Sequence, residues 1–224
     1  MAHFLFKEDD LKQIEAAVEA AERKTSGEIA VAYIKQSDSY AIQELMLGVA
    51  IGFLYFVELL FFTPRIEAFV RTLSWDYSVN HLLMAYGLST FVVIFLVYWL
   101  ANIPLIDRLI VPSSVKSRKV RERALRHFAE AGVYKTKDQT GILIFISHLE
   151  RRIELIADSG IAAKIGQETW DGMVNHIIDG IRRGKLTDHL VEAIGQCGDI
   201  LTEHFPIQPD DVNELKNGID ILEK

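Results

Sequence analysis

Four carboxylates stand where this chain can support metal or phosphate chemistry. Glu28 opens one apolar run, Asp158 closes another just before Ser159-Gly160, and Glu168 and Asp171 open a segment of helical spacing. A hard cation needs several oxygen donors, and a bound phosphate needs clustered backbone N–H groups or cations. A carboxylate at a strand end ahead of a Ser-Gly pair is where α/β folds place ligands, so Asp158 is the first metal candidate and Glu28 the second. Glu168 and Asp171 have a plainer reading as dipole and capping partners of a helix start. No phosphate loop, nucleophile elbow or histidine-rich metal spacing accompanies them. The seven histidines are scattered, and His127 and His176 read as surface or half-buried residues. The residue types name no catalytic group.

A second set is cationic. Lys116, Arg118, Lys119, Arg121, Arg123 and Arg126 crowd a helix that begins near Val115. Beside a bilayer, each such residue gains about 1 kcal/mol from anionic lipid headgroups. The same residues also suit a solvated face, and the two readings are compatible. Nucleic acid is excluded as the partner of the whole chain, because the net charge is −7 and no basic total drives counterion release. The single cysteine, Cys197, rules out an internal disulfide and a cysteine-rich zinc site.

The elements that must position these groups are of two kinds. Leu45 to Phe62 is an 18-residue apolar run with one charge, Glu58, and Leu82 to Ile103 runs 22 residues with none. As helices they reach roughly 27 and 33 Å, enough for a hydrocarbon core of about 30 Å. Core helices of such length normally carry a polar stripe, and these do not. Tyr55, Tyr98 and Trp99 suit a membrane interface. The loop from Thr63 to His81 holds Arg65 and Arg71, whereas Arg108 and the basic helix follow the second span. That excess places the second side in the cytoplasm, with both termini there, in a multi-pass protein of the cell membrane. The N-terminus, "MAHFLFKEDDLKQIEAA", has acids where a signal peptide needs an apolar core.

Outside the spans the periodicities are those of a soluble domain. Leu11, Ile14, Val18 and Ala21 recur at helical spacing after Asp9-Asp10, and Ile29 to Ile34 reads as a strand buried on both faces. Val120, Ala124, Phe128 and Ala131 stripe the basic helix. "TGILIFIS" (Thr140 to Ser147) and "IELIAD" (Ile153 to Asp158) read as a β-hairpin across "HLERR". Trp170, Met173, Val174, Ile177, Ile178 and Ile181 mark a long helix, and a last one runs from about Thr187 to His204. Neither soluble piece makes a sheet alone. The predicted fold is therefore α/β, a small mixed sheet flanked by helices and interrupted by a two-helix transmembrane hairpin. Its parts are 1–44, the hairpin at 45–103 with spans 45–62 and 82–103, 104–206, and an acidic, peripheral tail at 207–224.

"SGEIAV" after a helix, "TGILIFISHLERRIELIADSGIAAKI" and a spaced "W…G…HFP" resemble the TPM domain, named for thylakoid-lumen proteins, one of them linked to photosystem repair, and for an animal receptor accessory subunit. The resemblance covers about Phe4 to Ile34 and Val115 to Pro206. It implies an α/β sandwich, and for some relatives acid phosphatase activity or calcium binding. In this chain the spans interrupt the domain, and Asp158-Ser159-Gly160 stands where the family has a glycine-rich segment. Two functions remain open. One is a membrane-anchored interaction or assembly module at the cytoplasmic membrane face, with a membrane-protein partner. The other is a metal-dependent phosphatase acting at the membrane, with Asp158 and Glu28 holding a divalent metal such as calcium.

Overall fold

The computed structural model describes residues 6–73, 76–209 and 211–223. Phe4 and Leu5, the start of the resemblance, lie outside them. In chain order the helices are α1 (Glu8–Glu22), α2 (Ala41–Phe61), α3 (Thr63–Leu73), α4 (Val79–Ala101), α5 (Pro104–Ile110), α6 (Ser113–Glu130), α7 (Ser159–Ala162), α8 (Gln167–Arg183) and α9 (Leu186–His204). The strands are β1 (Glu28–Ile34), β2 (Gly141–Ser147), β3 (Arg152–Ala157) and β4 (Ile219–Leu222). Two compact units result, Met1–Asp38 with Ser113–Lys224, and Ser39–Pro112.

The first unit is built on a mixed sheet of order β3-β2-β1-β4. Successive side chains of a strand point to opposite faces, so a strand apolar at every position needs cover on both. Ile29, Val31, Tyr33, Ile142, Ile144 and Ile146 face a core completed by α1, α8 and α9 through Ile14, Val18, Met173, Ile177, Ile194 and Leu201. Ala32, Ile34, Leu143 and Phe145 face a smaller core closed by Val120 and Ala124 of α6. Three layers follow, with the sheet in the middle. Each large side chain fully buried this way contributes about 1.5–3 kcal/mol before the entropy of ordering it is charged.

β1 and β2 pair in parallel, Glu28 opposite Gly141 and Ile34 opposite Ser147, although more than a hundred residues separate them. Parallel neighbours need a crossover helix, and α6 supplies it. All of Ser39–Pro112 is inserted in that crossover ahead of α6. β2 and β3 form the expected antiparallel hairpin.

The C-terminal tail departs from the expectation of a peripheral segment. Ile219–Leu222 pairs in parallel with Val31–Ile34 as the fourth strand. Four residues, "IDIL", are too few to stand out by period after two prolines. What selects them is tertiary: the open edge of β1 exposes unpaired backbone groups, and β4 covers it.

The second unit holds the two apolar helices, of 21 and 23 residues. They run antiparallel, with Gly48 and Gly52 of α2 against Ile94 of α4, and the Tyr86 hydroxyl donating to Leu59 O at 3.2 Å. A Cβ on Gly52 would collide with the Ile94 side chain, so glycine is what lets the backbones approach. Only 17% and 6% of their apolar windows are buried. The segment between them, read from sequence as a loop, contains the helix α3.

Candidate functional site

Because β3 is antiparallel to β2, its carboxyl end meets the amino ends of β1 and β2. Glu28 and Asp158 therefore sit at the same end of the sheet, flanking Gly141: Glu28 registers with it, and Asp158 N donates to Gly141 O at 2.9 Å. Their side chains serve different neighbours. The Glu28 carboxylate is buried and accepts the backbone N–H groups of Glu214 (3.1 Å) and Leu215 (3.2 Å), one on each oxygen. It holds the C-terminal segment that leads into β4. Burial pushes its pKa up, the two N–H donors pull it down, and the charges of Glu214 and Asp211 push it up again. Beside it lies a cavity of about 170 Å³ lined by Ser26, Lys137, Asp138, Thr140 and Asp211 among others.

Asp158 caps α7. Its Oδ1 accepts Ser159 N at 2.6 Å, while Oδ2 is shielded and has no hydrogen-bond partner among the described residues. The Asp138–Gln139 backbone presses against this turn. Gly160 N donates to Gln139 O, and a Cβ on Gly160 would come within 2.7 and 2.8 Å of the Gln139 and Asp138 carbonyl oxygens. Glycine is thus fixed by close approach, and Ser159 Oγ adds a bond to Gln139 Oε1 at 2.8 Å. Glu168 lies in the first turn of α8, and Glu168 and Asp171 are both exposed. Among the described residues no three His, Cys, Asp or Glu side chains gather in a metal-holding group.

Sequence reasoning missed a third carboxylate at this end. Glu22 closes α1, its Oε1 accepts Ile29 N at 2.9 Å, and its Oε2 is buried with no hydrogen-bond partner among the described residues. Its pKa rises from 4.5 to about 7, chiefly through burial, with the Ile29 N–H opposing and Glu28 and Asp211 reinforcing. The signal was available: an acid in the last turn of a helix opposes the dipole and needs another reason to be there.

The opposite, carboxyl end of β1 and β2 holds a buried polar network that no motif announced. Ser147 Oγ donates to Glu150 Oε2, Ser37 N donates to Glu150 Oε1 at 3.1 Å, and the two serine hydroxyls lie 2.7 Å apart. It clamps the end of β1 to the β2–β3 turn, two residues before the chain leaves for Ser39–Pro112. Fully satisfied buried polar networks fix one arrangement, and this one fixes the exit strand.

The basic helix α6 carries its cations largely in ion pairs with the domain's own acids. Lys119 Nζ meets Asp38 at 2.7 Å, Arg121 meets Glu154 at 3.2 Å, Arg123 meets Glu130 at 3.3 Å and Arg118 meets Glu122 at 3.7 Å. Arg118, Arg121 and Arg126 are exposed; Lys116, Lys119 and Arg123 are half-buried. His127, on the sheet side of α6, is buried, which lowers its pKa, while Asp220 of β4 at 3.4 Å partly restores it.

The family model of the TPM domain matches residues 107–200, from α5 through β2, β3 and most of α9. Residues 107–200 are thus similar to the TPM domain. The remaining elements of the sheet, β1 and β4, lie outside the matched stretch and join it only in the fold. The NMR structure of the BA42 protein from the psychrophilic bacterium Bizionia argentinensis has the same fold, with a TM-score of 0.56 and 20% identity over 98% of this chain and 96% of that one. No curated protein matches the chain.

Proposed function

We propose that this protein is a membrane-anchored TPM domain acting as an interaction or assembly module at the cytoplasmic membrane face, with both termini cytoplasmic. The observation that carries the reading is the state of α2 and α4: two long apolar helices few of whose side chains are buried, while the TPM-like core buries its own. In water such a surface drives association, and a bilayer is its natural solvent. Lysines and arginines concentrate after the second span, and the exposed Arg118, Arg121 and Arg126 of α6 can contact anionic headgroups, since surface ion pairs are worth little and exchange readily. The partner is another membrane protein. Reporter fusions test the topology. A cytoplasmic reporter should be active at the C-terminus, and an export-dependent one in the segment near Asp76. The reverse result overturns the orientation.

A second reading, a metal-dependent phosphatase, is favoured by one observation, the unpartnered Oδ2 of Asp158. Calcium takes six to eight oxygens. Asp158 offers one oxygen free of hydrogen bonds once the shielding turn opens, and Glu28 joins only by releasing the Glu214 and Leu215 amides. On this reading Asp158→Asn abolishes phosphate release while the circular dichroism spectrum is unchanged. Equal rates in the two proteins remove it.

A further inference from the structure

The helix α3, between the two apolar helices, has a surface that the membrane anchor does not by itself explain. At about 100° per residue, Ile66, Phe69, Val70 and Leu73 fall within an arc of about 100°, and Arg65, Glu67, Arg71 and Thr72 lie outside it. Val70, on one edge of the apolar arc, is buried within its unit; Phe69 and Leu73, on the other, are 64% and 69% exposed. The polar side is ordered. Arg71 holds Glu67 at 2.7 Å and lies over the Tyr77 ring at 4.2 Å, and Arg65 lies over the Phe62 ring.

The depth of α3 follows from one contact. Tyr86 Oη donates to Thr63 Oγ1 at 2.8 Å, which pins the first residue of α3 beside the second turn of α4. Tyr86 is seven residues from Val79, so α3 starts about 10 Å inside the end of α4 rather than beyond it. A single residue, Phe62, separates α2 from α3. The exposed Phe69–Leu73 edge therefore belongs to a helix that starts beside the apolar pair, between the end of α2 and the start of α4.

We propose that α3 is an interfacial helix, lying in the membrane–water boundary where α2 ends and α4 begins, with Phe69 and Leu73 among the acyl chains and Arg65 and Arg71 at the lipid phosphates. The inference rests on the membrane reading above. Interfacial helices sink about 5–10 Å into the headgroup–acyl boundary, the depth that the Tyr86–Thr63 contact sets. Its occupant is lipid, and its consequence is an anchor that fixes the depth of the helix pair at one surface instead of leaving a bare turn.

Nitroxide labels on the full-length protein in phosphatidylcholine–phosphatidylglycerol vesicles test it. Single cysteines replace Ala68, Phe69, Thr72 and Leu73 in turn, with Val92→Cys on α4 as reference, in a Cys197→Ala background. If that background folds poorly, the native Cys197 is kept, because its side chain is fully buried and closed to the label. Oxygen should relax the labels at 69 and 73 more than a water-soluble nickel complex does, with the order reversed at 68 and 72. Nickel access at all four sites overturns the proposal, and so does exclusion of both reagents from 69 and 73, which means protein cover. Position 92 separates the two claims. Oxygen-dominated relaxation there with no alternation in α3 leaves the membrane reading standing and removes only the interfacial helix, whereas nickel access at 92 removes both.

Discussion

The two units of this chain solve the same problem in opposite directions. In Met1–Asp38 with Ser113–Lys224, apolar side chains point inward: Ile142, Leu143, Ile144, Phe145 and Ile146 of β2 are all fully buried. In Ser39–Pro112 they point outward, with Phe53, Phe91 and Phe95 each more than 60% exposed. The polar groups are reversed as well. The hairpin satisfies its backbone within each helix and packs through glycine and a tyrosine hydroxyl, whereas the sheet needs pairing between segments from opposite ends of the chain. One sequence thus carries two kinds of apolar surface, and what separates them is period. A strand sends successive side chains to opposite faces, each covered by helices, while a helix apolar all round leaves much of its surface uncovered by its own unit.

The sharpest way to break this contrast is to cut the units apart. Replacing Ser39–Pro112 by a short flexible linker from Asp38 to Ser113 should give a protein that no longer needs detergent and unfolds in one cooperative urea transition. The ends suit the join: Asp38 is held by Lys119 of α6, and the Ser113 hydroxyl accepts from Arg152 at 2.6 Å. Loop closure costs little more for a long insert than for a short one, so removing it should barely change stability. Aggregation of the shortened chain would mean that the split sheet depends on its insert.

Two substitutions of identical chemistry measure the contrast directly. Phe145→Ala, at a fully buried site, should cost about 3–5 kcal/mol in the shortened domain. Phe95→Ala, at a site 65% exposed on α4, should change the stability of the full chain in detergent by about 0.5 kcal/mol or less. Similar losses at both sites would show that α4 is covered by protein.

A further test concerns pH. Glu22 has a folded pKa near 7 against 4.5 when unfolded. Between those values the folded carboxyl keeps its proton and the unfolded one has lost it. Its contribution is therefore fully present below about pH 4.5 and lost as the pH rises to about 7. His127 acts oppositely: its lowered pKa makes folding less favourable as the pH falls through 6.5. In the shortened domain, Glu22→Gln should flatten the fall of the urea midpoint between pH 4.5 and 7 and leave the His127 slope. A midpoint with unchanged pH dependence would show that Glu22 is ionised in the fold.

Much of the architecture was legible because its signals are periodic. The unbroken, charge-free runs of Ile29 to Ile34 and of Thr140 to Ser147 needed cover on both faces, which a common sheet supplies. The stripe from Trp170 to Ile181 could be only a core-facing helix. The candidate site was less legible. Glu28 and Asp158 were found as residue types at strand ends, yet their side-chain partners, the Glu214 and Leu215 amides for one and the α7 start for the other, depend on how the C-terminal segment and the Asp138–Gln139 turn pack. Ser37, Ser147 and Glu150 are ordinary residues in sequence and form a network only because parallel pairing of β1 with β2 brings positions 110 residues apart to one strand end.

Residue order alone carries the element types, the α/β class, the two apolar runs and the need for the flanking segments to share one sheet, since hydrophobic patterning is a local property of each segment. Packing chose the parallel pairing of β1 with β2, the closure of the sheet by "IDIL", the burial that raises the Glu22 pKa and the approach of Gly52 to Ile94. Those outcomes depend on which surface meets which. A short strand is chosen by the edge that lacks a partner, a carboxyl is neutralised by the water it loses, and a glycine matters only where another backbone comes close.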